Sequence, residues 1–342
     1  MKTPLYIYPK RLIHGHFPVA LPWSPLLPLL LLAFTSRIPA QYEYASNGNA
    51  IVITSYTGSG GVVTIPETID HLPVVGIGNG AFSRRTSITS AIIPDTVTNI
   101  GDEAFTGMDT HSRMTELTIG RKVIRIGRGA FAGCDQLNHL TLPNGLVSIG
   151  AFAFEFCGKL TTIAIPASVT KIEDGAFCAC FDLTSFSVAA ANPAYCSVDG
   201  VLYDKNRHRL LQFPGGKTGG FIIPNGITNI APLAIWNCPC VTSVTLPESI
   251  TTIGDEQFAA CNRLVSVFVP ASVTHIGRHA FDSCMSMKGI YFYGNAPDYG
   301  EYWRGGRAKL LGGLASGTVY YLPGKTGWET NFGGRPTAAW QP

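Results

Sequence analysis

Residues 160–182 read LTTIAIPASVTKIEDGAFCACFD, and this stretch decides the fold. Its first half alternates between inward apolar and outward side chains and is rich in Thr and Ile, which predicts a short strand with one buried face. Pro166 ends the strand, because proline cannot donate a hydrogen bond to a sheet. The segment from Ala176 to Cys180 does not alternate, which predicts a short helical or 3₁₀ turn.

The same unit repeats along the chain, and its clearest marker is Ile-Gly-x-x-Ala-Phe. Copies begin at Ile77, Ile100, Ile126, Ile149, Ile172, Ile253 and Ile276, with a degenerate copy at Ile230. Successive spacings are 23, 26, 23, 23, 58, 23 and 23 residues. Because each unit buries only one face, it needs its neighbours to complete a core, so the fixed period predicts a solenoid.

Units of the form L-x-x-I-x-I-P-x-S-V-T-x-I-x-x-x-A-F-x-x-C resemble the BspA-like class of leucine-rich repeats, which is found in bacterial surface and secreted proteins. The resemblance covers roughly residues 62–294. It implies a repeat solenoid, β-rich α/β: a leucine-rich-repeat right-handed superhelix with short strands, short helical or 3₁₀ turns and a 23-residue period. The chain departs from the pattern where Gly120 replaces the strand-ending proline and Ile235 replaces the phenylalanine.

Hydroxyl side chains stand where leucine-rich repeats usually carry asparagine, and we expect a hydroxyl ladder to satisfy the backbone there. These residues are Thr68, Thr96, Ser168, Ser249 and Ser272.

The irregular parts of the sequence suggest the domain boundaries. We expect a signal peptide over residues 1–40, a capping hairpin over 41–61, the solenoid over 62–294 and a carboxyl-terminal cap over 295–342. The step of 58 residues contains an insertion within 189–220, which is similar to one common in the family. Its segments 201–203 and 210–213 are expected to pair as a hairpin that projects from the solenoid.

The amino terminus and the charge balance together favour export. Basic residues precede a nine-residue apolar run, Leu26 to Phe34, which is typical of a signal peptide with cleavage after Ala40. The run is too short to span a bilayer, although a retained lipoprotein-like or membrane-dipping tail is an alternative. The formal net charge of the whole chain is only +3, which argues against nucleic acid as a partner. The predicted location is secreted or cell surface.

Cysteine is the residue type most suggestive of chemistry, because the chain has nine cysteines and six occupy one repeat position. These six are Cys134, Cys157, Cys180, Cys238, Cys261 and Cys284. A column spreads ligands along an axis, whereas zinc needs four that converge, so no metal and no cofactor is predicted. We expect buried thiols that act as small apolar fillers. Disulfides between neighbouring coils are the alternative, since equivalent Cα atoms lie within bridging distance.

Two glycine-lysine-threonine segments, 216–218 and 324–326, copy the end of a phosphate-binding loop. Both lack its first glycine, and Pro214 and Pro323 remove backbone donors, so both are predicted to be turns. No catalytic motif is found, and the chain is predicted not to be an enzyme.

The outward face of the strands is the candidate binding site, because alternate strand residues point away from the core. Its members are Glu116, His139, Thr141, Thr162, Ser185, Ser243, Thr245, Ser266, Phe268 and Tyr291. Most are small and uncharged, and Phe268 with Tyr291 could anchor a partner. The resemblance implies adhesion, so the predicted function is an exported, monomeric interaction protein with a protein or glycan ligand and no membrane span in the mature chain. The alternative is a structural surface-layer or spacer protein without a specific ligand.

Overall fold

A computed structural model describes residues 41–108, 112–299 and 317–342, so the predicted signal peptide and residues 300–316 of the predicted cap lie outside the described residues. The chain is a β-solenoid of about 11 turns with a period of about 23 residues. The predicted fold class is therefore confirmed. The predicted helical or 3₁₀ turns are wrong in detail, since no residue in the described part of the chain is helical.

The described residues form short strands, which are numbered in chain order. The first thirteen are β1 (Tyr42–Ser46), β2 (Ile51–Tyr56), β3 (Gly61–Thr64), β4 (Thr68–Ile69), β5 (Leu72–Ile77), β6 (Ile88–Ile92), β7 (Asn99–Ile100), β8 (Glu116–Thr118), β9 (Arg125–Ile126), β10 (Ser148–Ile149), β11 (Thr162–Ile165), β12 (Lys171–Ile172) and β13 (Ser185–Val188). The others are β14 (Tyr195–Val198), β15 (Val201–Asp204), β16 (Arg209–Gln212), β17 (Gly219–Ile222), β18 (Asn229–Ile230), β19 (Val241–Thr245), β20 (Thr252–Ile253), β21 (Ser266–Val269), β22 (His275–Ile276), β23 (Gly289–Phe292), β24 (Asp298–Tyr299), β25 (Thr318–Tyr321), β26 (Asn331–Phe332) and β27 (Arg335–Ala339).

On each side of the insertion within 189–220, the longer strands of neighbouring coils pair in parallel wherever both coils form one. These long strands form three sheets in the orders β3-β6-β8, β11-β13 and β17-β19-β21-β23-β25-β27. The register joins equivalent residues, as when Val267 pairs with Ile290. Inward residues such as Ile163 and Ile165 are 1% exposed, because in-register stacking places every copy of an apolar position on the same side.

Two-residue strands form a second ladder at the Ile-Gly position of each coil. The orders are β5-β7-β9-β10-β12 and β20-β22-β24, with pairs such as Ile149 and Ile172. The isoleucine points into the core, and the following glycine lets neighbouring coils approach closely. A Cβ on Gly127, for example, would lie 2.6 Å from the Gly101 carbonyl carbon.

The Ala-Phe segment forms a third ladder instead of a helix. Backbone N–H groups alternate in direction: Phe82 donates to Ala104 of the next coil at 2.7 Å, whereas Ser83 donates back to Gly80 at 2.9 Å. The alternation arises because a residue in the left-handed conformation lies on either side of the Phe82-Ser83 segment: Gly80 has a φ of 65° and Arg84 a φ of 59°. A helix needs negative φ throughout, so this alternation exchanges helical bonds for bonds between coils.

Phenylalanine rings stack along the interior of the first half of the solenoid. The rings of Phe82, Phe105, Phe131, Phe154 and Phe177 follow one another with centroid separations of 4.6, 5.3, 5.4 and 5.5 Å and interplanar angles of 10° or less. These separations are close to the spacing of paired strands, about 4.8 Å, so the backbone ladder sets the ring spacing.

The six repeated cysteines do more than fill space. Each thiol lies within hydrogen-bonding distance of a carbonyl in the preceding coil: Cys157 donates to Phe131 at 3.4 Å and Cys261 to Ile235 at 3.0 Å. All nine cysteines are free thiols. Burial raises the pKa of the Cys134 thiol to about 12, so it stays protonated and able to donate.

The predicted hydroxyl ladder is confirmed at the three serines. Ser168 donates to the Leu146 carbonyl at 2.6 Å, Ser249 to Ile227 at 2.6 Å and Ser272 to Ile250 at 2.7 Å. It is not confirmed at Thr96, whose buried hydroxyl has no hydrogen-bond partner among the described residues.

The insertion within 189–220 does not project from the solenoid as predicted. Strands β15 and β16 do pair as an antiparallel hairpin, with Tyr203 opposite Leu210. However, β16 also pairs in parallel with β18, which puts Leu210 beside Ile230 in line with the short-strand ladder. The hairpin is therefore part of the wall.

The hairpin separates two cores. Leu202 and Leu211 belong to the core of the amino-terminal array, residues 41–188. Val201, Tyr203 and Leu210 belong to the core of the carboxyl-terminal array, residues 219–299 and 317–342. Successive residues of a strand point to opposite faces of the sheet, so the hairpin packs one face on the core of each array. The apolar side chains on both faces are therefore buried.

Both ends carry additional hairpins or rings. Strands β1 and β2 form an antiparallel hairpin, and Tyr56 stacks on Phe82 at 5.1 Å, so the ring stack has a cover. At the other end, Trp328 and Phe332 pack against Phe292 at 4.9 and 5.9 Å. These rings keep water from the last coil of the core.

Candidate functional site

Eight of the ten candidate residues lie on long strands, and the other two, His139 and Thr141, lie in a segment that forms no strand. Glu116, His139, Thr141 and Thr162 are exposed, and Ser185, Ser243, Thr245, Ser266, Phe268 and Tyr291 are partly buried. Within each sheet the register places neighbouring members side by side, with Thr162 beside Ser185 and Ser243 beside Ser266. The structure therefore groups the candidates by sheet, and the largest connected group is Ser243, Thr245, Ser266, Phe268 and Tyr291 on β19, β21 and β23.

Aromatic side chains form a row on this face in the carboxyl-terminal array. Phe268 and Tyr291 stack at 5.0 Å and 17°, and Tyr291 and Tyr320 stack at 4.8 Å and 8°. In-register pairing of β21, β23 and β25 puts the three side chains side by side. We call Phe268, Tyr291, Tyr320 and Trp340 the aromatic row.

Trp340 closes the row at the carboxyl end. Its ring contacts Tyr291 edge-on at 5.0 Å and Tyr293 at 5.6 Å. Its indole Nε1 is buried and has no hydrogen-bond partner among the described residues. The Tyr291 ring lies over Gly289, where a Cβ would come within 2.8 Å of it, so glycine makes room for the ring.

Tyr320 and Trp340 were not predicted as site residues, because both were assigned to the cap. The repeat period does not identify Tyr320, because Thr318 pairs with Gly289, which is 29 residues earlier instead of 23. Only the register shows that Tyr320 continues the column of Phe268 and Tyr291.

The same face is different in the amino-terminal array. The Thr141 hydroxyl oxygen lies 3.1 Å from the Nε2 atom of His139. Residues 138–142 do not form a strand. Around them the outward side chains are small or polar, except for exposed Val62 and Ile92. No described ring extends the row into this half.

The other sequence candidates have structural roles. Among the described residues, no group of three or more His, Cys, Asp and Glu side chains is placed to hold a metal ion. The two phosphate-loop segments are turns, as predicted, since Lys217 donates its backbone N–H to Pro214 and Lys325 to Leu322. The Lys217 ammonium group donates to the Asp199 carbonyl at 2.7 Å.

A family model of the BspA type leucine rich repeat region matches in six copies, at residues 63–115, 109–192 and 213–303, which is more than half of the chain. The chain belongs to the BspA-type leucine-rich repeat family. Proteins of this family are in general non-enzymatic repeat proteins with a protein-interaction or adhesion role. No curated protein matches this chain in sequence.

Solved structures agree on the fold. The pneumococcal vaccine antigen PcpA is 20% identical, with a TM-score of 0.66 over 84% of this chain and 82% of PcpA. A leucine-rich repeat protein from Eubacterium ventriosum is 23% identical, with a TM-score of 0.60 over 83% of this chain and 77% of that protein. In the described ranges of this BspA-type chain, no helix has the length and apolar character needed to cross a membrane.

Proposed function

We propose that this BspA-type chain is an exported, non-enzymatic, monomeric interaction protein that binds a protein or glycan ligand through the aromatic row. The observation that carries the proposal is the row itself: Phe268, Tyr291, Tyr320 and Trp340 are only partly buried, and the first three stand on regular, paired strands. Binding hot spots are enriched in tyrosine and tryptophan, which supply large rigid contact area at a low entropic cost.

The surroundings of the row support a binding role. Its neighbours on the outward face are Gly220, Ile222, Ser243, Thr245, Ser266, Gly289 and Thr318. None carries a charge, and most have few rotamers to lose, so little free energy opposes contact with an uncharged partner. Ile222 is 75% exposed and extends the apolar surface.

The location is proposed from the family and the amino terminus. BspA-type repeats are associated with surface or secreted proteins, and residues 1–40 have the composition of a signal peptide. The near-neutral charge gives no reason to expect a nucleic acid partner.

The test compares two halves of one face. The full-length protein would be applied to glycan arrays and cultured cells, beside a Phe268→Ala, Tyr291→Ala double variant and a matched Thr162→Ala, Ser185→Ala double variant. We expect the aromatic variant to lose at least about tenfold in binding, because each hot-spot truncation removes over about 1 kcal/mol. The matched variant should bind like the wild type.

Equal loss in both variants would contradict the aromatic row as the site. Background binding by the wild type and both variants would favour the alternative, a structural spacer without a specific ligand. Circular dichroism and thermal unfolding of each variant separate lost contact from lost fold.

A further inference from the structure

A groove crosses the turn segments of the amino-terminal array, away from the outward strand face. It is a cavity of about 390 Å³, and its lining includes Arg84, Glu103, Arg128, Phe152 and Glu155. Small-molecule sites usually have about 300–1,000 Å³, so the groove has room for a small ligand. Its residues are not used by the proposed function.

The groove exists because one coil lacks side chains where its neighbours have them. Gly129 and Ala132 form the floor. The equivalent positions are Glu103 and Thr106 in the coil before and Phe152 and Glu155 in the coil after. Gly129 has a φ of 56°, which favours glycine there, so the backbone requirement and the open floor coincide.

Four charges line the groove without pairing. Elsewhere, neighbouring coils form ion pairs such as Arg121 with Asp95 and Arg278 with Asp255 at 2.9 Å or closer. Across the described residues, none of Arg84, Glu103, Arg128 and Glu155 forms an ion pair. Two cations and two carboxylates therefore face one cavity without a direct ion pair, and within the described part of the chain the Glu155 carboxylate interacts only with the Cys178 thiol and, electrostatically, with Arg128.

Contacts within the protein act on two of these groups, Arg128 and Glu155. The Arg128 guanidinium lies over the Phe152 ring, 5.4 Å from its centroid, and this cation–π contact favours that position. Burial raises the pKa of Glu155 to about 6, while Cys178 and Arg128 act in the opposite direction. Burial removes water molecules that would stabilise the charged carboxylate, and a cationic group of a ligand would stabilise it in their place.

We propose that the groove binds a small zwitterion of the amino-acid or short-peptide class. The ligand ammonium group pairs with Glu155 and Glu103, and its carboxylate pairs with Arg128 and Arg84. Arginine is suited to the carboxylate because its guanidinium donates two parallel hydrogen bonds. An isolated ion gains less, since it meets like charges as well as opposite ones in a groove of zero net formal charge.

The probe is dialanine with free ends, and its binding to the full-length protein is measured by isothermal titration calorimetry. N-acetyl-dialanine lacks the ammonium group and dialanine amide lacks the carboxylate, so each removes one half of the recognition. We expect dialanine to bind and each blocked form to bind at least about tenfold more weakly, the loss typical of one charged hydrogen bond.

Three variants and one control locate the site. Glu155→Gln and Arg128→Gln should each weaken dialanine binding by about tenfold or more, whereas Glu67→Gln, at an exposed glutamate outside the groove, should not. Ala132→Leu keeps all four charges and fills the floor, and it should also abolish binding while thermal unfolding shows an intact fold.

Binding should also depend on pH through Glu155. Between pH 7 and pH 5 a carboxyl with a pKa of about 6 falls from about nine-tenths to one-tenth ionised, so affinity should fall about tenfold. The groups that face it are Arg128, Glu103, Arg84 and the Cys178 thiol, whose pKa burial raises well above its ordinary value. Both ends of dialanine keep their charges over most of this range.

Three results would overturn the proposal. They are no binding of dialanine at millimolar concentration, equal binding of the blocked forms, or an unchanged affinity in Glu155→Gln. None of these results bears on the aromatic row, so the two proposals fail separately.

Discussion

In the amino-terminal array five phenylalanine rings stack inside the solenoid, whereas in the carboxyl-terminal array three rings stack on the outer face of the strands. Inside the second array the stack is reduced to Phe258 and Phe281, 5.4 Å apart, because Ile235 occupies the preceding position. One repeat backbone therefore spaces rings equally well on either side. Rings inside the solenoid stabilise the fold, and rings on its outer face are accessible to a binding partner.

The largest effect should come from breaking the internal stack. Phe131→Ala removes a ring that is 0% exposed and lies between Phe105 and Phe154, so we expect a loss of about 3–5 kcal/mol in the free energy of unfolding. Urea unfolding followed by circular dichroism measures it. A loss under about 1 kcal/mol would show that the stack does not stabilise this array.

The hairpin between the arrays gives the next effect. Leu210→Ala should reduce stability by about 3 kcal/mol and also split the unfolding curve into two transitions, because Leu210 packs on the carboxyl-terminal core from the sheet that both arrays share. Leu264→Ala is the matched control, since Leu264 is equally buried but lies outside the hairpin. If both variants gave the same curve, the hairpin would not couple the arrays.

A smaller effect of opposite sign is expected in the amino-terminal array. The pKa of Glu155 rises from 4.5 to about 6 on folding, so its ionisation opposes folding: the penalty is absent below pH 4.5 and complete above about pH 6. Glu155→Gln should therefore stabilise the protein by about 1–2 kcal/mol at pH 7.5 and not at pH 4. Thermal unfolding at the two pH values tests this, and stabilisation at pH 4 alone would contradict it.

The smallest effect should come from the external row. Phe268→Ala removes a ring that is only partly buried and stacks on one described neighbour, so we expect a loss of about 1 kcal/mol. The comparison with Phe131→Ala is direct, since both changes remove one phenylalanine from a stack. Equal losses in the free energy of unfolding would mean that the aromatic row stabilises the fold and is not a surface kept for binding a ligand.

Much of the fold could be predicted because each coil repeats the same physical problem. The inward isoleucines and the serine hydroxyl bonds follow from one 23-residue pattern read at any copy. The turn at Ala-Phe could not be predicted as non-helical, because its left-handed residues are Gly80 and Gly129 in some coils but Glu103 and Phe152 in others. Only bonds to the next coil make that conformation favourable.

The candidate site was predicted in outline. Alternation identifies Phe268 and Tyr291 as outward residues, but Tyr320 joins them only through pairing across an irregular spacing. The groove was not predicted at all, since Arg84 and Glu155 are 71 residues apart and meet only when four coils stack.

By itself, the sequence determined the period, the core-facing residues and membership of a repeat class, because these depend on contacts between copies of one short pattern. Tertiary structure alone decided how the insertion joins two cores, which rings stand beside one another and which charges share a cavity. Those features depend on register and on the few positions where one coil differs from the next, and a local pattern contains neither.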